Sequence, residues 1–513
     1  MINKSSGCNY VMSGLSSYVN HCESVLNTHK EYFPGNSLND LILNNVDKFL
    51  TSFGMSLIKG EKVDASLNKR FREKFQRSIS KPYLNGVEHT IDSSGYQVQQ
   101  GFIAKEDTSA LIKYYHEMLL EINKDISWAF PLDICPGESL CIYNSWEEIK
   151  KYNVESLKES AKLPEDLRKK MLYIYQFRTP KMNEVWKQLT FEEGLAEPFE
   201  NFSVGGMVSF ANNANPTINL YTIPLIYILD YAKKRGLKKF RFHVLGGSNF
   251  SDIIFHKFIE HHIKKIHNID CEITYDSSSV FQILAMARTI IIPDKQNRSL
   301  MKMSIKSNMN SSSDSEWGSG KYNTESKSDY IGNDRKISDI LYDAINNSNV
   351  PYGMKKLTPE IDPIYLESGM MNKIIYQYGL NHLLTVFKYV DNLGKELVKE
   401  LYPIYEQEKN DQFAGDFHRL YNNILIRLNG LTSSKKLANK SSMVFNSLKE
   451  IENLDTNKAD YFIKEYLGHD EIESLDSNHI SKNILLLGDK DIDIAKRNKR
   501  NVFRTNVENE EYK

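Results

Sequence analysis

The stretch that decides the fold is Thr90–Gln97, which reads Thr-Ile-Asp-Ser-Ser-Gly-Tyr-Gln. A short apolar run carries Asp92 at its end, and a Ser-Ser-Gly turn and an aromatic ring follow at once. In a barrel of parallel strands, a carboxylate at the carboxyl end of a strand lies where active sites are built. Asp276 repeats this layout, because it ends the run Ile273–Tyr275 and precedes three serines. We therefore expect the two carboxylates to act as a reacting pair.

The composition predicts a large protein of a reducing compartment. The chain has 513 residues, 41% of them hydrophobic, which is enough for two or three domains with buried cores. Its net charge of -1 makes no strong demand for a nucleic acid or a membrane. Five cysteines form no CxxC pair, which argues against a thiolate zinc cage. Neither a signal peptide nor an apolar run of ~20 residues is found, so we expect a cytoplasmic protein with no membrane partner.

Residues 86 to about 280 alternate between short apolar strands and segments of helix length. Strands are predicted at Val87–Ile91, Ile126–Leu132, Met171–Tyr175, Asn201–Val204, Phe240–Leu245 and Glu272–Tyr275. Helices are predicted at Thr108–Asn123, Pro164–Lys170, Thr222–Lys234 and Asp252–Ile266. This alternation indicates a parallel α/β architecture. Because the first 85 residues, including Asn9–Met12, can supply two more strands, a TIM-type (β/α)8 barrel is favoured over an open sheet. In the same region, Leu38–Phe53 has the apolar spacing of a helix.

The alternation of strands and helices ends after Asp276. The apolar runs Thr289–Ile292 and Met301–Ile305 flank a polar turn and predict an inserted hairpin, and a Ser-, Asn- and Gly-rich stretch follows. Met371–Tyr389 predicts a strongly apolar helix, and the chain beyond it is helical and charged. We therefore predict a barrel domain over 1–394, with an insert at about 289–335, and a helical C-terminal extension over 395–513.

The predicted strand ends would bring acids, an amide, glycines and an aromatic ring to one rim of the barrel. They contribute Asp92, Ser93, Tyr96, Asp133, Gln176, Gly205, Gly206, Met207, Leu245, Gly246 and Asp276. Glycines let the backbone approach a ligand closely, and Tyr96 can stack on a planar ring opposite Leu245. Asp133 and Gln176 can read polar ring edges through hydrogen bonds. This set of side chains suits the binding of a purine-like base. The set contains no phosphate-binding loop, no metal-ligand cluster and no Ser/His pair.

Simpler interpretations exist for several of these features. Asp92 also suits a turn, and Asp276 before three serines also suits a helix N-cap. The basic stretch 68–77 and the cluster 496–500 suit solvated helix faces or, alternatively, phosphate-facing ones. His256, His261, His262 and His267 fall on a predicted helix with lysines and no acid that would complete a metal cage. We therefore expect that helix to face solvent or phosphate, with no metal site.

The order of the strand-end motifs resembles the tRNA-guanine transglycosylase superfamily across roughly residues 86–390. Asp92–Gln97 resembles its DSGGFQ motif, Ala129–Cys135 its base-recognition strand, and Gln176 its recognition glutamine. Phe202–Met207 is similar to its glycine-pair strand, His243–Gly247 to its "LMGVG" strand, Tyr275–Asp276 to the strand of its nucleophile, and Asn381–Leu383 to its closing helix. Each motif alone is weakly specific, but six of them in the same order form a specific pattern.

The resemblance implies a role for several residues. Asp276 would attack C1′ of a nucleoside, displace guanine and form a covalent glycosyl-enzyme. Asp92 would then remove a proton from the incoming heterocycle, which attacks C1′ in turn. Asp133 would bind the donor edge of the base, while Gln176 and the Gly206 amide would bind its exocyclic oxygen. No cofactor is needed, because one glycosidic bond is exchanged for another.

The chain departs from the superfamily pattern at three places. Ser94 replaces the first glycine of the DSGG turn, and Pro131 and Leu132 precede Asp133 where the family usually has a plainer strand. The tRNA enzymes carry a zinc site of three cysteines and a histidine after the nucleophile, whereas no cysteine follows Cys271 here. The chain is thus more similar to the branch, linked to phages and genomic islands, that exchanges guanine in DNA for a 7-deazaguanine such as 7-cyano-7-deazaguanine.

Two alternatives stay open at this point. One is a divergent, zinc-less transglycosylase that acts on tRNA, and the other is a non-catalytic nucleic-acid-binding subunit. In duplex DNA the target nucleotide must first leave its stack, which costs a few kcal/mol. The sequence leaves open whether a partner protein opens the duplex.

Overall fold

The computed structural model describes residues 8–13, 46–60, 62–79, 86–134, 142–143, 145–177, 179–205, 217–247, 249–277, 289–304, 369–411, 415–429 and 434–467. The chain divides into two compact units. The first unit comprises Met1–Thr51, Gln76–Thr90 and Phe202–Phe462. The second unit comprises Ser52–Phe75, Ile91–Asn201 and Ile463–Lys513.

Eight strands form one sheet. They are β1 (Tyr10–Ser13), β2 (Lys48–Ser52), β3 (Glu88–Asp92), β4 (Trp128–Ala129), β5 (Leu172–Gln176), β6 (Asn201–Gly205), β7 (Lys239–Val244) and β8 (Asp270–Ser277). Their order is β4-β3-β2-β1-β8-β7-β6-β5, and the pairs β1–β2, β1–β8, β6–β7 and β7–β8 are parallel. A parallel bridge from Ala129 to Met171 joins the two ends of this order. The fold is therefore the TIM-type (β/α)8 barrel that the alternation predicted.

Helices follow the strands as the barrel fold requires. They are α1 (Ala65–Ile79), α2 (Gly95–Gln99), α3 (Thr108–Ile122), α4 (Trp146–Ala161), α5 (Glu165–Arg168), α6 (Pro180–Lys187), α7 (Thr222–Lys234) and α8 (Phe250–His267). Local sequence sets their ends: the Asn249 side chain accepts the Ser251 N–H at the start of α8, and Asn268 ends it at φ 54°. Short 3-10 turns at Phe53–Ser56, Lys105–Asp107 and Asn123–Asp125 and a π turn at Gln188–Glu192 complete the described segments.

The region after the barrel contains a hairpin and four helices. Strands β9 (Thr289–Asp294) and β10 (Ser299–Ser304) pair antiparallel, which confirms the predicted inserted hairpin. The helices are α9 (Gly369–Glu408), α10 (Gly415–Asn429), α11 (Ser434–Asn453) and α12 (Thr456–Leu467). Helix α9 runs without a break through residue 394, where the domain boundary was predicted. None of the described helices is long and apolar enough to cross a membrane.

Helix α9 is attached to the barrel by an aromatic stack and by buried charges. The Phe387 ring stacks on Tyr10 of β1, with ring centroids 4.0 Å apart. On α8, the Lys257 ammonium lies 3.0 Å from Asp391 and 2.9 Å from Glu260, and all three side chains are largely buried. A buried charge is stable only when it is paired, so these contacts fix where α9 lies against α8.

The prediction of a helix over Leu38–Phe53 is wrong for the part that the structure describes. Residues Lys48–Ser52 form β2, and Val46, Phe49 and Leu50 are all buried. A parallel strand is buried on both faces and therefore lacks the alternation of a half-exposed strand. Apolar residues at positions 46, 49 and 50 then imitate the i, i+3, i+4 spacing of a helix.

Four charged residues cross the interior of the barrel near the amino ends of the strands. The Lys48 ammonium lies 2.6 Å from Glu88 and 2.7 Å from Glu272, and the Arg241 guanidinium lies 2.8 Å from Glu88 and 2.6 Å from Glu272. Burial opposes ionisation of Glu88, but Arg241 and Lys48 outweigh it and lower its pKa to about 2. We call these four residues the charge quartet, and it joins β2, β3, β7 and β8.

Removing one member of the quartet should destabilise the barrel strongly. Arg241→Met leaves two carboxylates with one ammonium, and we expect unfolding in urea to require about 2–3 kcal/mol less free energy. The loss is smaller than for a fully enclosed pair because the glutamates keep some solvent contact. Lys234→Met, which breaks the exposed pair with Asp230, is the matched control and should change stability little. Equal effects of the two substitutions would contradict a structural role for the quartet.

Candidate active site

In the second unit, the turn after β3 binds a second acid. Asp92 ends β3, and the Ser93 hydroxyl donates to Oδ1 of Asp133 at 3.0 Å. The same hydroxyl accepts the backbone N–H of Asp133 at 3.4 Å. Ser93 is fully buried, so this pair of contacts holds Asp133 beside the Asp92 turn.

The next two residues of the turn, Ser94 and Gly95, have backbone positions that restrict which side chains fit. Ser94 has φ 77°, in the left-handed region that favours glycine, and its hydroxyl lies 3.1 Å from that of Ser52. Gly95 approaches the backbone of Asp133 so closely that an ideal Cβ would lie 1.3 Å from the Asp133 carbonyl oxygen. Only glycine fits there without moving the chain, so the Ser-Ser-Gly sequence is matched to the position of Asp133.

Two buried side chains hold the segment that follows β4. The Asn153 amide of α4 accepts the Ile134 N–H at 2.8 Å and donates to the Ile134 carbonyl at 3.0 Å. The Tyr115 hydroxyl of α3 donates to the Phe130 carbonyl at 2.7 Å. Neither residue was predicted to matter, because each contact joins segments that are distant in sequence. β4 ends at Ala129, earlier than predicted, although the Phe130 N–H still donates to the Ile91 carbonyl at 3.0 Å; the two side chains hold the segment from there to Ile134.

The two acids of this unit influence each other electrostatically. Burial, and then the neighbouring charge of Asp92, raise the pKa of Asp133 to about 7. The same two acids, after burial, raise the pKa of Tyr115 well above its ordinary value. Like charges at close range cannot both ionise freely. Burial and the nearby charge of Asp92 thus both favour the protonated form of the Asp133 carboxyl.

Gln176 ends β5 as a buried residue with spare hydrogen-bonding capacity. Its Nε2 donates to the Ile134 carbonyl at 3.4 Å, which is a long contact. Its Oε1 is buried and has no hydrogen-bond partner in the described part of the chain. Buried polar atoms are normally paired, so this amide suits contact with a polar ligand.

In the first unit, Asp276 is held by two N–H donors. Its Oδ1 accepts the Gly246 backbone N–H at 2.8 Å and lies 3.3 Å from Nε2 of His243. Gly246 has φ 75°, and the turn after β7 uses this conformation to direct its N–H toward the carboxylate. Nδ1 of His243 lies 2.9 Å from the Thr274 hydroxyl. His243 was not predicted as a site residue; a polar residue within the apolar strand 240–244 was the signal.

The remaining predicted site residues fall in three groups. Gly205 ends β6 as a buried residue, and Leu245 extends the ladder by donating its N–H to the Val204 carbonyl at 3.1 Å. The backbone of Tyr96 lies in α2. Gly206 and Met207 lie outside the described residues. The second unit thus brings together Asp92, Ser93 and Asp133, with Gln176 bonded to the adjacent Ile134, and the first unit brings together Asp276 and Gly246.

The expectation of a solvated or phosphate-facing histidine helix is wrong for two of the four histidines. His256 and His262 of α8 are fully buried, and Nδ1 of His262 lies 2.7 Å from the Tyr402 hydroxyl. Burial lowers the pKa of His256 to about 3, so this ring is neutral. Among the residues that the structure describes, no group of three or more His, Cys, Asp or Glu side chains is arranged to hold a metal ion.

No protein-family model, curated protein or solved structure matched the chain.

The left-handed position of Ser94 predicts an unusual order of stabilities. Ser94→Ala keeps the strain and loses the Ser52 contact, whereas Ser94→Gly loses the contact but also the strain. We expect the glycine variant to be about 1 kcal/mol more stable than the alanine variant in urea unfolding. Gly95→Ala, the adjacent control, should be destabilised by about 3 kcal/mol because its Cβ meets backbone. A glycine variant less stable than the alanine variant would contradict the assignment of strain to Ser94.

The raised pKa of Asp133 predicts that this acid destabilises the folded protein as pH rises. Its ordinary pKa is 3.8 and its folded value is about 7, so between these values the unfolded chain releases the proton first. The stability advantage of Asp133→Asn over the natural protein should therefore grow between pH 4 and pH 7, by a few kcal/mol. Urea unfolding at pH 4.5 and pH 8 measures this difference. An advantage that does not change with pH would refute the raised pKa.

Proposed function

We propose that this protein is a pentosyltransferase that replaces guanine in DNA with a 7-deazaguanine base, such as 7-cyano-7-deazaguanine. The observation that carries the proposal is the contrast between two acid environments. Asp276 accepts two N–H donors on Oδ1, which orient its carboxylate for attack as a nucleophile. Asp133 lies beside Asp92, and burial and that neighbouring charge raise its pKa to about 7, which suits proton exchange with a heterocycle.

The first displacement forms a covalent intermediate. A carboxylate oxygen of Asp276 attacks C1′ of the target deoxyguanosine, and the C1′–N9 bond breaks with its electron pair leaving on guanine. The departing guanine takes a proton from the Asp92–Asp133 pair, and Asp92 is left as a carboxylate. The products are neutral guanine and a deoxyribosyl ester of Asp276.

The second displacement reverses the chemistry with a different base. Asp92, now a carboxylate, removes the N9 proton of the incoming 7-deazaguanine, and N9 attacks C1′. The C1′–O bond of the ester breaks, and its electron pair returns to the Asp276 carboxylate. Two inversions at C1′ retain the anomeric configuration. Because no bond is oxidised and no phosphate is transferred, the exchange requires no cofactor.

Base recognition is assigned to the residues around the two acids. Asp133 and the Gln176 amide bind the polar edges of the base, with the Gly206 amide as a further donor and Tyr96 stacked on its face. Ser93 acts on the base through Asp133, because its hydroxyl is bonded to that carboxylate. Gly205, Met207, Leu245 and Gly246 are proposed as further substrate-binding residues, as the superfamily resemblance implies.

DNA is proposed as the substrate in preference to tRNA. The zinc-binding residues of the tRNA enzymes have no counterpart after Cys271, since the sequence contains no later cysteine. A divergent tRNA enzyme and a non-catalytic nucleic-acid-binding subunit are the alternatives that the experiment below separates. The target base must leave the duplex, so the rate on duplex DNA should depend on a protein partner that opens it.

A base-exchange assay with trapping of the adduct tests the function. The protein is incubated with labelled 7-cyano-7-deazaguanine and either single-stranded DNA, duplex DNA or tRNA, and then quenched in denaturant. We expect label in DNA and an Asp276-linked adduct, with both lost in Asp276→Ala and no adduct in Asp276→Asn. Asp270→Asn, an exposed acid at the start of the same strand, is the control and should keep full activity.

Three outcomes would contradict parts of the proposal. Label in tRNA but not DNA would favour the tRNA enzyme. Binding of nucleic acid without exchange would favour the non-catalytic subunit. Full activity of Asp276→Ala would reject the covalent mechanism.

A further inference from the structure

We propose that His243 is a positioning residue that fixes which oxygen of Asp276 attacks C1′. The inference rests on the proposed function and adds a residue to the same site. Oδ1 of Asp276 receives both donors, the Gly246 N–H at 2.8 Å and Nε2 of His243 at 3.3 Å. With both donors on Oδ1, Oδ2 is the oxygen with lone pairs available for attack.

The chemistry of the contacts determines the tautomer of His243. A carboxylate can only accept hydrogen bonds, so Nε2 must carry a proton. In the neutral ring Nδ1 is then an acceptor, and the Thr274 hydroxyl at 2.9 Å donates to it. If the ring is protonated, Nε2 still carries its proton. The donor to Oδ1 is therefore present in either state of the imidazole.

The surroundings of His243 hold it in place. Its side chain is 2% exposed, while that of Asp276 is 18% exposed, so the ring supports the carboxylate from the enclosed side. His243 and Thr274 are register partners on the adjacent strands β7 and β8. The imidazole thus reaches Asp276 from a position fixed by the sheet ladder, as a preorganised donor should.

The two N–H donors to Oδ1 act differently in the two displacements: they orient the carboxylate in the first and stabilise its returning charge in the second. In the first, Oδ2 forms the bond to C1′ and Oδ1 becomes the carbonyl oxygen of the ester, so the donors fix the rotation of the carboxylate. In the second, the C1′–Oδ2 bond breaks and negative charge returns to the carboxylate, where both N–H groups stabilise it. Loss of the His243 donor should therefore slow breakdown of the covalent intermediate more than its formation.

Three variants test the inference. His243→Leu removes the donor at similar size, and His243→Gln keeps an N–H that can reach Oδ1. His89→Leu is the control, because His89 is likewise a buried strand histidine, its Nε2 lying 2.9 Å from the Thr51 hydroxyl, and it is not assigned to the site. The readouts are kcat, KM for the incoming base, and the fraction of enzyme trapped as adduct in a rapid quench with single-stranded DNA.

For His243→Leu we expect kcat to fall about 10- to 100-fold with KM little changed and the trapped fraction increased. His243→Gln should recover most of the rate, and His89→Leu should keep kcat. An unchanged kcat in His243→Leu, or equal losses in the Leu and Gln variants, would overturn the inference. The same is true of a lower rate without accumulation of adduct.

A measurement that does not require activity separates this inference from the proposed function. In ¹⁵N-edited NMR spectra, the Nε2–H signal of His243 should shift when Asp276 is replaced by Ala. A shifted signal in a protein that exchanges no base would overturn the proposed function and the catalytic role, but not the contact. Exchange activity without such a shift would overturn the His243 inference alone.

Discussion

The charge quartet is the constraint on which the geometry of the barrel interior depends. Glu88 and Glu272 lie four residues before Asp92 and Asp276 on their strands. Because side chains alternate along a strand, residues four apart face the same side. A slip of one residue would expose the quartet glutamates to the helix layer and turn Asp92 and Asp276 away from the interior. Pairing Lys48 and Arg241 with both glutamates therefore helps to set the register of β3 and of β8, on which Asp92 and Asp276 respectively lie.

A polar row separates the quartet from the proposed nucleophile. His243 lies two residues after Arg241, and Thr274 lies two residues after Glu272, so both face the same side as the quartet. Barrel interiors are usually filled by branched aliphatic residues, and polar groups there are acceptable only when they are bonded. The Thr274–His243–Asp276 contacts meet that condition and leave a carboxylate oriented before any substrate arrives. Such preorganisation is what electrostatic catalysis requires.

The fold could be predicted from the sequence because apolar residues repeat at different spacings in strands and in helices, and because strands and helices alternate over nearly two hundred residues. Strand β2 was missed because a strand that is buried on both faces does not show the alternation of apolar and polar residues that identifies a half-exposed strand. The Asp92 turn was predictable from its glycine and serines, but its contact with Asp133 depends on a segment forty residues away. The contacts of Asn153 and Tyr115 and the burial of His256 also depend on segments that are distant in sequence, so they could not be predicted. Residue roles that follow from the superfamily resemblance stay predictions until an activity is measured.

The proposal that Asp276 carries out base exchange in DNA can be tested by nucleoside mass spectrometry of DNA and tRNA, isolated in parallel from cells that express the natural protein or Asp276→Ala. We expect a 7-deazaguanine deoxynucleoside in DNA from cells with the natural protein and its absence with the variant. The same nucleoside appearing with both proteins, or a modified base in tRNA and none in DNA, would contradict it.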